Sequence, residues 1–265
     1  MKYKLFVSDY DGTLGGFDGI DEETVKAIKE YERKGGKFVV CTGRMYKNVR
    51  AICERYDIAD VVVSYQGARI NERKSGRLLY AGGIENSLAA KVLRSVESVP
   101  VKPAVLSEDC LYYSKESFYI DAYKKARIVP LKRVDYLAAE IEKGVSALKI
   151  NVICDEYDKD EFIRAFGGKF KGQLIVNSGG VGLAEFVNPA CSKGASVRFL
   201  SDYYGIEDSE IIAVGDSTND IELISGGWYG VAVGDGDAEL KKYAKEITVN
   251  YKNNPVKFLL EKYCL

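Results

Sequence analysis

Asp9-Tyr10-Asp11-Gly12-Thr13 is the fragment of this sequence best suited to chemistry. Two carboxylates one residue apart repel each other unless a cation or a proton compensates, so a bound metal or a raised pKa is expected there. The pair follows the apolar run Leu5-Phe6-Val7, where a buried strand should give way to a loop. Gly215-Asp216-Ser217-Thr218-Asn219-Asp220 repeats the arrangement after the run Ile211 to Val214, adding two carboxylates and an amide. These hard oxygen donors suit magnesium, which takes a few carboxylates together with water and a substrate's phosphate. Thr42-Gly43-Arg44, directly after Phe38 to Cys41, offers a hydroxyl and backbone N–H groups to an anion. Ser192-Lys193-Gly194 sets a lysine at the head of a helix, where its charge could neutralise a phosphate.

Each fragment also has a plainer account. A solvated Asp-Gly turn, a threonine N-cap, an exposed lysine and a helix cap at Asp216 or Ser217 would explain them one by one. Their shared placement favours chemistry. All four fall at strand ends that a parallel sheet would bring onto one rim, the edge where open α/β sheets collect ligands.

Composition narrows the chemistry further. The chain has no histidine, which removes the usual general base, the usual triad partner and the commonest zinc ligand together. Its 38 basic and 39 acidic side chains leave a formal net charge of −1, giving no broad field for nucleic acid or an anionic membrane. Any anion must be gripped locally. The six cysteines are scattered without a close pair, as expected of reduced, buried thiols rather than a disulfide framework or a zinc knuckle. No apolar stretch is long enough to span a bilayer, and the opening run is too brief for a secretory signal, so a cytoplasmic protein is expected. There is neither a P-loop nor a Gly-x-Gly-x-x-Gly turn after the first strand.

The elements that must position these residues read as alternating strands and helices. Val25, Ile28 and Tyr31 recur at helical spacing between the runs at Leu5 and Phe38, and a helix over 45–56 precedes a strand at Val61 to Val63. Strand, helix, strand implies parallel pairing. A hairpin is expected around Lys74-Ser75-Gly76, and another turning at Glu108-Asp109. Leu148, Ile150 and Val152 alternate with polar neighbours, which predicts a half-covered strand with one face open. The α/β pattern returns with a helix over 193–204 and strands at Ile211 and Tyr229. The expected architecture is a parallel-sheet core of residues 1–82 and 184–265, interrupted by an α+β domain at 83–183.

The four fragments, in this order and with the insertion in place, resemble the four motifs of the haloacid dehalogenase (HAD) superfamily, Cof-type subclass, across nearly the whole chain. The resemblance implies a Rossmann-like parallel-sheet core with an inserted cap that selects the leaving group. It implies a Mg2+-dependent phosphatase with Asp9 as nucleophile and metal ligand, and Asp11 as general acid and base that offers its carbonyl to the metal. Thr42, with Gly43 beside it, and Lys193 would hold phosphoryl oxygens. Asp216 would bind magnesium directly, Asp220 directly or through water, and Asn219 would orient Lys193 or the phosphate. The expected substrate is a small phosphorylated metabolite, with no nucleic acid or membrane partner, acted on by a monomer or small homo-oligomer. A phosphomutase or phosphotransferase using the same aspartyl phosphate is an alternative, as is a phosphoaspartate signalling domain. Gln66-Gly67-Ala68, where relatives commonly have Asn-Gly-Ala, and Gly234-Asp235, where Gly-Asn is usual, depart from the family pattern.

Overall fold

The structure, a computed structural model, describes residues 2–265 apart from Phe17 and Ile128. Among these residues the chain opens with β1 (Leu5–Ser8), α1 (Glu22–Arg33), β2 (Lys37–Cys41), α2 (Tyr46–Tyr56), β3 (Val61–Ser64), β4 (Arg69–Glu72) and β5 (Leu78–Ala81). Then follow α3 (Asn86–Val96), β6 (Lys102–Leu106), β7 (Leu111–Tyr113), α4 (Phe118–Ala126), β8 (Leu131–Arg133), α5 (Leu137–Glu142), β9 (Lys149–Ile153), α6 (Lys159–Lys169), β10 (Ile175–Gly180) and β11 (Leu183–Val187). The chain closes with α7 (Lys193–Tyr204), β12 (Ile211–Gly215), α8 (Ile221–Ile224), β13 (Tyr229–Ala232), α9 (Ala238–Lys241), β14 (Glu246–Ile247) and α10 (Pro255–Tyr263). Two compact units result, one of Met1–Arg44, Val49–Tyr80 and Ser192–Leu265, the other of Met45–Asn48 and Ala81–Cys191.

In the first unit the strands lie in the order β14-β13-β12-β1-β2-β3-β4-β5. Pairing is parallel from β14 to β3, and β4 runs antiparallel to β3. A parallel sheet is covered on both faces, so Leu5 to Ser8, Phe38 to Cys41, Val61 to Ser64 and Ile211 to Gly215 are buried at every position. Leu5, Val7, Val39 and Val63 share a core with Val197 and Leu200 of α7. On the other face Phe6 stacks on Phe38, ring centroids 5.5 Å apart, and meets Tyr31 of α1 edge-on. Helix α1 starts where the Asp21 side chain accepts the Thr24 N–H at 3.0 Å, and it turns Ala27, Ile28 and Tyr31 inward. Burying Ile28 alone contributes about 1.5–3 kcal/mol.

Past β3 the chain makes an unusual turn. Tyr65, Gln66 and Gly67 all have positive φ, at 52°, 59° and 107°. The left-handed conformation costs a non-glycine residue on the order of 1–2 kcal/mol, so neighbouring contacts must hold Tyr65 and Gln66 in place.

The second unit has its own sheet, β10-β11-β9-β6-β7-β8, antiparallel except where β7 meets β8. One face carries Ile150, Val152, Ala184 and Phe186, packed with Leu93 and Val96 of α3, Ile141 of α5 and Phe162 and Phe166 of α6. The other face differs from the half-open strand that the alternation at Leu148 to Val152 predicts. Every residue of β9 is buried. The polar positions have partners that close over them: Lys149 Nζ meets Glu185 Oε1 of β11 at 2.5 Å, and Asn151 donates to the Tyr119 hydroxyl of α4 at 2.7 Å. Alternation reports polarity, and a polar position can still be buried, at a cost in desolvation, when another element brings it an opposite charge or a hydrogen-bond partner.

All six cysteines are free thiols, and all but Cys110 are buried. Among the described residues no helix is long and apolar enough to cross a membrane.

Candidate active site

Strand register builds the site. Ser8 of β1 pairs with Val40 of β2 on one side and with Val214 of β12 on the other. The residues that follow these three strands, Asp9, Thr42 and Asp216, therefore emerge at one rim. The ladder continues one step beyond the strands, where the Asp9 N–H donates to the Val214 carbonyl at 3.0 Å.

Asp9, Asp216 and Asp220 each place a carboxylate oxygen within 4.8 Å of the others. Lys193, the first residue of α7, reaches between two of them, with Nζ 2.6 Å from Asp9 Oδ1 and 2.5 Å from Asp220 Oδ1. Its helix is started by Ser192, whose hydroxyl accepts the Ala195 N–H at 3.1 Å. The second oxygen of Asp220 accepts the N–H groups of Asp216 (3.0 Å) and Ser217 (3.2 Å), locking the loop after β12. Asp216 Oδ1 accepts the Thr13 hydroxyl at 2.7 Å. Gly12 permits this closeness: with φ at +79°, a Cβ there would stand 2.6 Å from Asp216 Oδ2.

Two buried carboxylates, Asp9 and Asp220, thus share one ammonium, with the half-buried Asp216 beside them. Burial pushes Asp9 well above the ordinary carboxylate range; Lys193 pulls against that, and Asp220 and Asp216 add to it. Asp216 is pushed up to about 6, by burial first and Asp220 next, against the Thr13 hydrogen bond. Burial opposes the charge on Lys193, yet Asp220 and Asp9 hold its ammonium well above the usual lysine value. The surplus of negative charge is what a divalent cation would relieve.

Asp11 stands apart from this group. Arg44 grips both of its oxygens, Nε at 2.8 Å and Nη2 at 2.5 Å, and the same guanidinium lies 4.5 Å over the Tyr10 ring. Thr42 is buried at the end of β2, its hydroxyl accepting the Arg44 N–H at 3.2 Å, with Gly43 between them in the loop. Asn219 makes no hydrogen bond to Lys193; its Oδ1 is buried without a hydrogen-bond partner. Short local spacing cannot anticipate this, because the 3-10 turn Thr218–Asp220 aims Asp220, not Asn219, at the ammonium.

Two residues with evident work in the site were given no role from sequence. Thr13 supports Asp216 and Arg44 holds Asp11. Both sit inside fragments that the sequence singles out, but nothing in the spacing pairs them with those partners.

Residues 6–260 match the model of the family described as haloacid dehalogenase-like hydrolase. This chain belongs to the haloacid dehalogenase-like hydrolase family. The hydrolase is 26% identical over 282 residues to phosphatase YwpJ of Bacillus subtilis, covering 97% of this chain and 99% of that one. It is 23% identical over 270 residues to the 5-amino-6-(5-phospho-D-ribitylamino)uracil phosphatase YitU of the same organism, covering 98% and 97%. A solved haloacid dehalogenase-like hydrolase from B. subtilis superposes with a TM-score of 0.87 at 23% identity, covering 99% of this chain and all of that one, a likeness of fold. The hydrolase is accordingly an enzyme of phosphatase-like type.

Proposed function

We propose that this hydrolase is a magnesium-dependent phosphatase that cleaves phosphate monoesters of small metabolites through an aspartyl phosphate on Asp9. The observation that carries the reading is the meeting of Asp9, Asp216 and Asp220 with Lys193 at the ends of β1 and β12. An all-oxygen, over-negative donor set, buried except for the half-buried Asp216, fits a hard divalent cation, and the orphaned Oδ1 of Asn219 in the same loop is a further acceptor. Asp9 and Asp216 would hold the ion, with the Asp11 carbonyl. Asp220, whose oxygens already serve Lys193 and two N–H groups, would support them through that network. When bound, Mg2+ would neutralise charge on the phosphoryl oxygens.

The residues then divide the work. An Asp9 oxygen attacks phosphorus in line, the bond to the leaving oxygen breaks, and Asp11 donates a proton to that oxygen. Water next attacks the phosphoaspartate, Asp11 takes its proton, and the Asp9–phosphorus bond breaks to release phosphate. Lys193 fixes the Asp9 carboxylate and neutralises incoming charge, and Thr42 with the Gly43 backbone receives a phosphoryl oxygen. Arg44 grips both Asp11 oxygens, so for either proton transfer Asp11 would release at least one of them from the guanidinium. The inserted α+β segment would select the leaving group, and the relatives' names point to a small phosphorylated metabolite such as a sugar-like phosphate.

Hydrolysis of p-nitrophenyl phosphate and a metabolite panel, with and without Mg2+, tests this. Turnover that needs Mg2+, with oxygen from labelled water entering the released phosphate, supports the reading. Stable phosphoaspartate without turnover, or turnover indifferent to Mg2+, would sink it.

A further inference from the structure

The turn Tyr65–Gly67 has no part in the chemistry above, yet it is bonded to the loop that has. The ladder between β2 and β3 runs on past both strands: Thr42 N–H donates to the Val63 carbonyl (3.0 Å), Gln66 N–H to the Thr42 carbonyl (3.1 Å) and Tyr65 N–H to the Arg44 carbonyl (3.0 Å). The last two bonds are made from Tyr65 and Gln66, the two residues held in the left-handed conformation. A trans peptide is planar, so its C=O and N–H point in opposite directions. With the Thr42 carbonyl drawn toward the β3 side, the Gly43 N–H is turned the other way. Strand β2 lies between β3 and β1, so that way is the side on which Asp9 ends β1.

We propose that this left-handed turn is a positioning element for phosphate binding, in which Gln66 holds the Thr42–Gly43 peptide with its N–H aimed at the phosphoryl group on Asp9. Gln66 acts through its backbone conformation. Its side chain is almost wholly buried, and it stands where the family pattern has asparagine, the non-glycine residue most tolerant of positive φ. The inference rests on the phosphatase reading of the Thr42 loop.

The test is the inhibition constant of inorganic phosphate against p-nitrophenyl phosphate, measured with the thermal midpoint for Gln66→Asn, Gln66→Gly, Gln66→Ala and Gln66→Val. If conformation is what matters, phosphate affinity follows tolerance of positive φ: Asn and Gly within about twofold of the parent, Ala about fivefold weaker, Val about tenfold or more. Glycine as weak as alanine would overturn the proposal, because the side chain would then be the active part. A midpoint that falls while phosphate affinity stays constant across the series would overturn it too. If the valine variant does not fold, the glycine and alanine comparison decides alone. Thr42→Ala is the control for the reading beneath: unchanged phosphate inhibition in that variant refutes phosphate binding by the loop, whatever the Gln66 series does.

Discussion

Thr13 donates its hydroxyl to Asp216 Oδ1 at 2.7 Å, although 203 positions separate the two residues in the chain. The bond ties the loop after β1 to the loop after β12 and fixes one oxygen of a proposed metal ligand. Outer partners of this kind set ligand orientation, and losing one typically costs about 10–100-fold in metal affinity or activity. Thr13→Val should therefore weaken Mg2+ by about tenfold in a titration of activity against metal, and Thr13→Ser should restore most of it. Equal Mg2+ dependence in the valine variant and the parent would show that Asp216 needs no such support.

Asp9→Asn should lose turnover almost completely while keeping its circular dichroism spectrum, since an amide cannot form the phosphoaspartate. Asp11→Asn should slow both formation and breakdown of the intermediate, by about 10²–10⁴ in each step if the proton transfers are as important as usual. Rapid-quench measurement with labelled substrate separates the two steps. A burst of normal rate in Asp11→Asn would remove Asp11 from the first.

Acidity should act in opposite senses on metal-free stability and on metal binding. Asp216 is raised to about 6 in the folded protein, above the unfolded value of about 4, so the folded state holds the proton more tightly. Its contribution to stability is present below about pH 4 and is lost as pH rises through about 6. Relative to Asp216→Asn, the thermal midpoint of the metal-free parent should fall across that window, while apparent Mg2+ affinity rises. A constant difference between the two proteins from pH 4 to 7 would contradict the raised carboxyl.

The Lys149–Glu185 pair, both side chains about 3% exposed, gives a stability prediction for the second unit. Lys149→Met leaves the Glu185 charge buried without its ammonium and should cost about 3–5 kcal/mol in denaturant unfolding. Adding Glu185→Leu should recover most of that loss, because an apolar pair of similar volume pays no desolvation. Failure of the double variant to recover would mean that the pair's other contacts carry the stability.

The positions of Asp9, Thr42 and Asp216 at the ends of parallel strands were legible in the linear chain. Lys193, in contrast, does not follow a strand of that sheet: it heads α7 after β11, which belongs to the second unit's antiparallel sheet. Runs such as Leu5-Phe6-Val7 and Ile211 to Val214 announce buried parallel strands, and a polar residue straight after such a run is placed at the sheet's carboxyl edge. Period and residue type act over a few positions, so elements of this length are readable locally. Alternation at β9 misled for the same reason: it registers Lys149 and Asn151 as polar but says nothing of Glu185 and Tyr119, which arrive from other elements.

Sequence by itself thus determined which groups are available and that Asp9, Thr42 and Asp216 emerge at one edge, because burial pattern and turn chemistry are local. Only the tertiary structure decided that Lys193 lies between Asp9 and Asp220, that Arg44 turns to Asp11, and that Gln66 bonds back to Thr42. Those partners depend on strand order and register, which set distances between parts of the chain that no local pattern connects.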